Sequence, residues 1–205
     1  EYREIMKYVE VLYNIPDIDE TGRRKGTELA LTYIDIHTVW LPDWLSEYKD
    51  NRGHSRKDLR DWMALRSEKK DFKNLMANAL PARFWVEWLT KDGKRKYEID
   101  TACLYNFLAL NGFHALKDDN SDNPEYIYID GNVVKKIKVG EIRQFVIKWV
   151  IDHHKGRDIL NLVLNSPRLS GAALESLGEV TLDFTDFTSQ SQLFFFDNAT
   201  VDVHK

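Results

Sequence analysis

Hydrophobic and polar positions divide this chain into short segments with either strand or helix periodicity. The run Val9-Glu10-Val11-Leu12-Tyr13-Asn14-Ile15 reads as an apolar strand, followed by Pro16, Asp17, Asp19 and Gly22. Leu29, Ala30, Tyr33 and Ile34 recur at helical spacing and predict an amphipathic helix over 21–34. Ile36-His37-Thr38-Val39-Trp40-Leu41 then reads as a short buried strand that Pro42 stops. Strands joined through a helix in this way pair in parallel by a right-handed crossover. The pattern therefore predicts a βαβ layer with parallel strands at 8–14 and 36–41.

Further along, Ser67 is placed to cap a helix over 68–79, with Phe72, Leu75, Met76 and Ala79 on one face and Pro81 at its end. Phe84 to Leu89, Lys91-Asp92-Gly93-Lys94 and Arg95 to Ile99 form a hairpin pattern. On face alternation, Trp88 shares a side with Phe84 and Val86 and is expected in the core, whereas Trp85 is the expected surface aromatic. Asp100 or Thr101 opens a helix carrying Leu104, Phe107 and Leu108, closed by Asn111-Gly112. A strand over 113–116, an acidic loop over 117–125 and a second hairpin around Asp130-Gly131-Asn132 follow. Ile142, Phe145, Val146, Trp149 and Val150 make a helical stripe. Two short helices are expected near 157–165 and 170–177, then a strand pair carrying Val180, Leu182 and Phe184, and Leu193 to Phe196. The expected class is α+β, with a first segment over 1–66, a linker helix over 67–80 and a small α+β domain over 81–205.

Composition narrows the picture. At 205 residues with 43% hydrophobic content the chain has ample core material. The single Cys103 excludes an intrachain disulfide and fits a reducing cytoplasm. No apolar run reaches the roughly 18 residues of a membrane span. The net charge of −4 conceals a gradient: Lys49 to Lys73 holds nine Lys or Arg against five Asp or Glu, whereas Leu169 to His204 holds no Lys or Arg. Local basic surface of this kind suits a nucleic-acid contact on one side, or is a solvated face.

Asp17 and Asp19 stand two residues apart, so both carboxylates face one way if strand geometry continues through them. Such a pair suits a hard divalent cation such as Mg²⁺. It equally suits a helix start, with Asp19 or Thr21 as the N-cap. In order along the chain stand a strand, Asp17-x-Asp19-x-x-Gly22, a helix, a second strand, Leu41-Pro42 and Lys57-Asp58-x-x-Asp61. This order, from Val9 to Trp62, resembles the second half of the Toprim domain in primase-helicases of phages and mobile elements. Thr181-Leu182-Asp183-Phe184-Thr185 and Phe194-Phe195-Phe196 resemble the segment that precedes the motor of those proteins.

The resemblance implies a part of a DNA primase-helicase in which Asp17 and Asp19 hold Mg²⁺, with DNA and nucleotides as partners. It also implies oligomerisation through a motor domain. Toprim sites use a further glutamate from an earlier strand, which by the resemblance would lie upstream of Glu1, so the chain is expected to be a piece of a larger protein. Pro16 is not the usual residue before the first aspartate. Arg52, Arg56, Lys57, Arg60, Lys69, Lys70 and Lys73 are the candidate nucleic-acid contacts. A non-catalytic protein-interaction module and a Toprim-type nuclease are the competing readings. The sequence holds no Gly-x-x-x-x-Gly-Lys-Ser/Thr phosphate loop, which excludes ATP turnover by that chemistry. His153 and His154 would project about 100° apart on a helix, which disfavours a shared metal.

Overall fold

The computed structural model describes residues 2–5, 7–66, 68–116, 124–131, 133–180, 191–196 and 199–204, and the fold is α+β. It forms two compact units, Glu1–Asn111 and Gly112–Lys205. Among the described residues no helix is long and apolar enough to cross a membrane.

The first unit opens with helix α1 (Tyr2–Ile5), strand β1 (Tyr13–Asn14), helix α2 (Glu20–Thr32) and strand β2 (His37–Thr38). β1 and β2 pair in parallel, Tyr13 opposite His37 and Asn14 opposite Thr38, as the crossover pattern predicts. The amides of His37 and Val39 donate to the carbonyls of Leu12 and Asn14 at 2.9 and 2.8 Å. Both strands are shorter than their apolar runs. Pro16 lacks the amide that a longer β1 ladder would need, and Val9, Val11 and Tyr13 remain exposed. α2 stops at Thr32 because Tyr33 leaves helical geometry (φ −118°, ψ 75°) while its amide still donates to Leu29.

A 3-10 turn at Asp43–Glu47, helix α3 (Leu59–Leu65) and helix α4 (Lys69–Ala77) complete this layer. Leu41, Leu45 and Trp62 form a buried cluster, with Ile15, Ile18, Leu59, Leu65, Phe72 and Leu75 packed against it. Three apolar residues at helical spacing, Leu59, Trp62 and Leu65, thus make α3 cohere inside a stretch that reads in sequence as merely basic. α4 starts after Glu68, whose side chain makes no cap bond; the expected cap at Ser67 lies outside the described residues.

The unit closes with hairpin β3 (Trp85–Leu89) and β4 (Arg95–Ile99), then helix α5 (Thr101–Leu110). Asp100 caps α5, its carboxylate accepting from the Cys103 amide at 2.9 Å. Leu104, Phe107 and Leu108 are fully buried. The two tryptophans of β3 are reversed from expectation: Trp85 is buried and Trp88 is exposed. Strand alternation groups Trp88 with Phe84 and Val86, but it does not say which side of the ribbon the core covers or how far along the strand it reaches. Trp85 sits at the base of the hairpin, edge-on to Phe84 at 5.0 Å, and Phe84 in turn meets Phe107 at 4.9 Å. Trp88 is already beyond that core.

The second unit is built on a four-stranded sheet of order β7-β6-β5-β8: β5 (Phe113–Leu116), β6 (Glu125–Asp130), β7 (Val133–Ile137) and β8 (Glu179–Val180). Only β5 and β8 pair in parallel. Helix α6 (Val139–Asp152) buries Ile142, Val146, Trp149 and Val150, and its Phe145 meets Phe113 at 4.6 Å. Helices α7 (Arg157–Asn165) and α8 (Gly171–Leu174) follow, and strands β9 (Ser191–Phe196) and β10 (Ala199–His204) pair as a separate antiparallel hairpin. The expected second short helix is only four residues long. Most of the acidic loop, and the strand positions Leu182 and Phe184, lie outside the described residues.

Candidate functional site

The turn between β1 and α2 places Asp17 and Asp19. Strand geometry ends at Asn14, so the carboxylates are brought together by the turn and not by strand alternation. Asp19 caps α2 in extended conformation (φ −67°, ψ 162°), its Oδ1 accepting from the Gly22 amide at 2.8 Å. The helix comes unusually close to the turn through its two glycines. A Cβ at Gly22 would lie within 2.9 Å of the Asp17 carbonyl carbon and 2.8 Å of its Cβ. A Cβ at Gly26 would lie 2.7 Å from the Pro16 ring. Pro16 and Gly26 are therefore fitted to each other, which gives the proline before the acidic pair a packing role.

Lys57 reaches the same turn from the start of α3. Its carbonyl accepts from the Ile18 amide at 3.0 Å, and its own amide donates to Asp61 Oδ2 at 2.9 Å. Asp58 and Asp61 form a reciprocal capping box for α3, with Asp58 Oδ1 accepting from the Asp61 amide at 2.8 Å. With its backbone held on both sides, Lys57 extends Nζ to 2.6 Å from Asp19 Oδ2 and 3.5 Å from Asp17 Oδ2. The hydrogen bond from Lys57, then the one from the Gly22 amide, holds the Asp19 carboxyl below the usual carboxylate range. Asp19, first by hydrogen bond and then by its charge, with Asp17 behind it, raises the Lys57 ammonium above its ordinary value.

The remaining basic candidates separate into two groups. Arg56 is turned inward, donating to the Lys49 carbonyl at 3.3 Å and lying 3.6 Å from Asp61. Arg52, Arg60, Lys69, Lys70 and Lys73 are exposed, and no carboxylate among the described residues pairs with them. The structure thus gathers Asp17, Asp19 and Lys57 into one cluster and leaves five cations on the surface. Lys57, expected from the sequence as a phosphate contact, lies instead on the two carboxylates. The signal was present: Asp58-x-x-Asp61 has capping-box spacing, which puts residue 57 immediately before a helix start.

His153 is the C-cap of α6. Its ring stacks on Trp149 at 4.3 Å and its Nδ1 lies 2.8 Å from the Trp149 carbonyl oxygen, while His154 takes a left-handed conformation (φ 49°). Both have helix-terminating roles. Among the described residues no group of three or more His, Cys, Asp or Glu is placed to hold a metal. Cys103 is buried, and burial, then Asp100, pushes its thiol up to about 12.

The donor set at Asp17 and Asp19 fits Mg²⁺ by its chemistry. Both ligands are carboxylates, and this cation commonly takes one or two carboxylates and completes its shell with water and substrate phosphates. The Lys57 ammonium already lies against both carboxylates, so a cation bound there would compete with it. No protein-family model, curated protein or solved structure matches this chain at a significant level.

Proposed function

We propose that this chain is part of a cytoplasmic, Toprim-type DNA primase-helicase and carries the Asp-x-Asp half of its metal site. The observation that carries the reading is the convergence of Asp17, Asp19 and Lys57 at the turn of a parallel β1–α2–β2 unit, with Gly22 closed against the Asp17 backbone. Ligands at the carboxyl ends of parallel strands are a general feature of α/β layers, which supports a functional role for this turn. In this reading Asp17 and Asp19 hold Mg²⁺, which would offset charge on the phosphoryl group during primer synthesis. Lys57 holds the Asp19 carboxyl ionised, bridges it to Asp17, and provides a cation beside incoming phosphates. Arg52, Arg60, Lys69, Lys70 and Lys73 supply sequence-independent attraction for the DNA backbone, while Arg56 contributes mainly to the local fold.

Primer synthesis by the intact protein tests the reading. Asp17→Asn and Asp19→Asn should each abolish Mg²⁺-dependent extension on a single-stranded template while leaving the melting temperature nearly unchanged. Synthesis at wild-type rate in both variants would remove the pair from the chemistry. Metal-dependent nicking of plasmid DNA without primer synthesis would favour the nuclease reading instead. A second reading, a non-catalytic interaction module, draws on the full use of the Asp19 carboxylate by the Gly22 amide and Lys57. Under it, both variants would leave primer synthesis unchanged.

A further inference from the structure

The β3–β4 hairpin extends past its own core. At the base, Trp85 and its cross-strand partner Ile99 are buried. Further along the strand, Val86 is 42% exposed, Trp88 42% and Leu89 66%. Trp88 thus keeps a large part of its indole in solvent, beyond the core that buries Trp85. Trp88 stands directly opposite Lys96, so the indole and an ammonium occupy one face of the hairpin.

The tip is both basic and ordered. From Leu89 to Lys96 the chain carries Lys91, Lys94, Arg95 and Lys96 against Asp92 alone. Arg95 pairs with Glu87 at 3.2 Å on the opposite face. Lys91, Lys94 and Lys96 are exposed and have no carboxylate partner among the described residues. The turn is pinned: the Thr90 amide donates to the Lys94 carbonyl at 2.9 Å, and Thr90 Oγ1 accepts from the Lys94 amide at 3.1 Å. Gly93 supplies the left-handed residue (φ 73°) that this turn needs. Ordering this surface on binding therefore costs little backbone entropy.

We propose that the face of the β3–β4 hairpin formed by Trp88 and Lys96, with Lys91 and Lys94 at its tip, is a contact surface for single-stranded nucleic acid. A partner that satisfies this face must offer a flat apolar ring for Trp88 and closely spaced negative charge for the lysines. Single-stranded nucleic acid offers both at every nucleotide, and base–aromatic stacking is indifferent to sequence. A duplex keeps its bases stacked on one another and offers Trp88 nothing. The inference stands on the hairpin alone and does not depend on Asp17 and Asp19 holding a metal.

Fluorescence anisotropy with labelled dT and rU oligonucleotides, and with a duplex of equal length, tests it on the full chain. The expected order is single strand over duplex. Trp88→Ala should weaken single-strand binding by about tenfold or more, the range expected for losing one base stack, while Trp88→Phe retains most of it. Lys91→Gln, Lys94→Gln and Lys96→Gln together should lower the salt slope by about 2. The lysines are exposed and Trp88→Phe keeps the ring, so far-ultraviolet circular dichroism and the melting temperature should not change in those variants. Binding unaltered by both the Trp88→Ala and the triple-lysine variants would overturn the proposal. So would equal affinity for duplex and single strand, or uptake of an acidic, aromatic-rich peptide with no response to either oligonucleotide.

Discussion

Gly22→Ala separates the close approach of α2 to the acidic turn from ordinary helix chemistry. Alanine in a helix interior is favoured over glycine by about 1 kcal/mol, so propensity alone predicts a gain. Geometry opposes it. The new methyl would stand 2.8 Å from Asp17 Cβ and 2.9 Å from its carbonyl carbon, and closer still to the carbonyl oxygen. These atoms are backbone or stem atoms that cannot swing aside, so α2 or the turn must move. Overpacking of this kind costs about 1–3 kcal/mol. Contacts this short with atoms that cannot move belong at the upper end, about 3 kcal/mol, so the helix gain leaves a net loss of about 2 kcal/mol and, at this size, a fall of about 4–8 °C in melting temperature. Gly140→Ala is the matched control. It sits in the first turn of α6 with nothing within 4 Å of its would-be Cβ, and should be neutral or stabilising. Urea titration followed by amide signals of Ala30 and Leu104, against that of Val146, reads the two units separately. If Gly22→Ala is as stable as wild type, α2 does not lie against Asp17 and the geometry of the acidic turn is wrong.

Three further outcomes follow from single side chains. The Thr38 hydroxyl is buried with no hydrogen-bond partner among the described residues, so Thr38→Val should stabilise the first unit by about 1 kcal/mol; a loss in urea denaturation would reveal a hidden partner. Burial lowers the pKa of His114, so the unfolded chain binds its proton more readily than the folded one. Stability of the second unit should therefore decline as pH falls below the ordinary histidine range, and His114→Gln should flatten that decline in thermal melts from pH 7 to pH 5. Cys103, buried and with its thiol at about 12, should react with a disulfide reagent at neutral pH only after unfolding; immediate labelling of the native chain would contradict its placement on the buried face of α5.

Elements that announce themselves through local chemistry were the ones readable from sequence. Lys91-Asp92-Gly93-Lys94 specifies a turn, and the β3–β4 hairpin closes around it. Asp100 and Gly112 bracket α5 as cap and left-handed terminator, the latter with φ 82°. The parallel pairing of β1 and β2 was equally legible because the intervening helix permits little else. What failed depended on distance in space. Periodicity put Trp88 in the core and Trp85 on the surface, and the reverse holds because the core around Phe84 and Phe107 takes up Trp85. The candidate carboxylates were visible as a pair, yet Lys57, 38 residues from Asp19, could be placed on them only by the fold.

The most direct measurement of the central claim is paramagnetic broadening by Mn²⁺ in amide spectra of this chain. Two carboxylates give an incomplete shell, so binding should be weak, in the millimolar range expected for so few ligands. Broadening should centre on Asp17 to Arg23 and on the backbone around Lys57, and should vanish in Asp17→Asn. Unperturbed signals at the turn, or broadening centred on another acidic cluster, would contradict the assignment of Asp17 and Asp19 as the metal ligands.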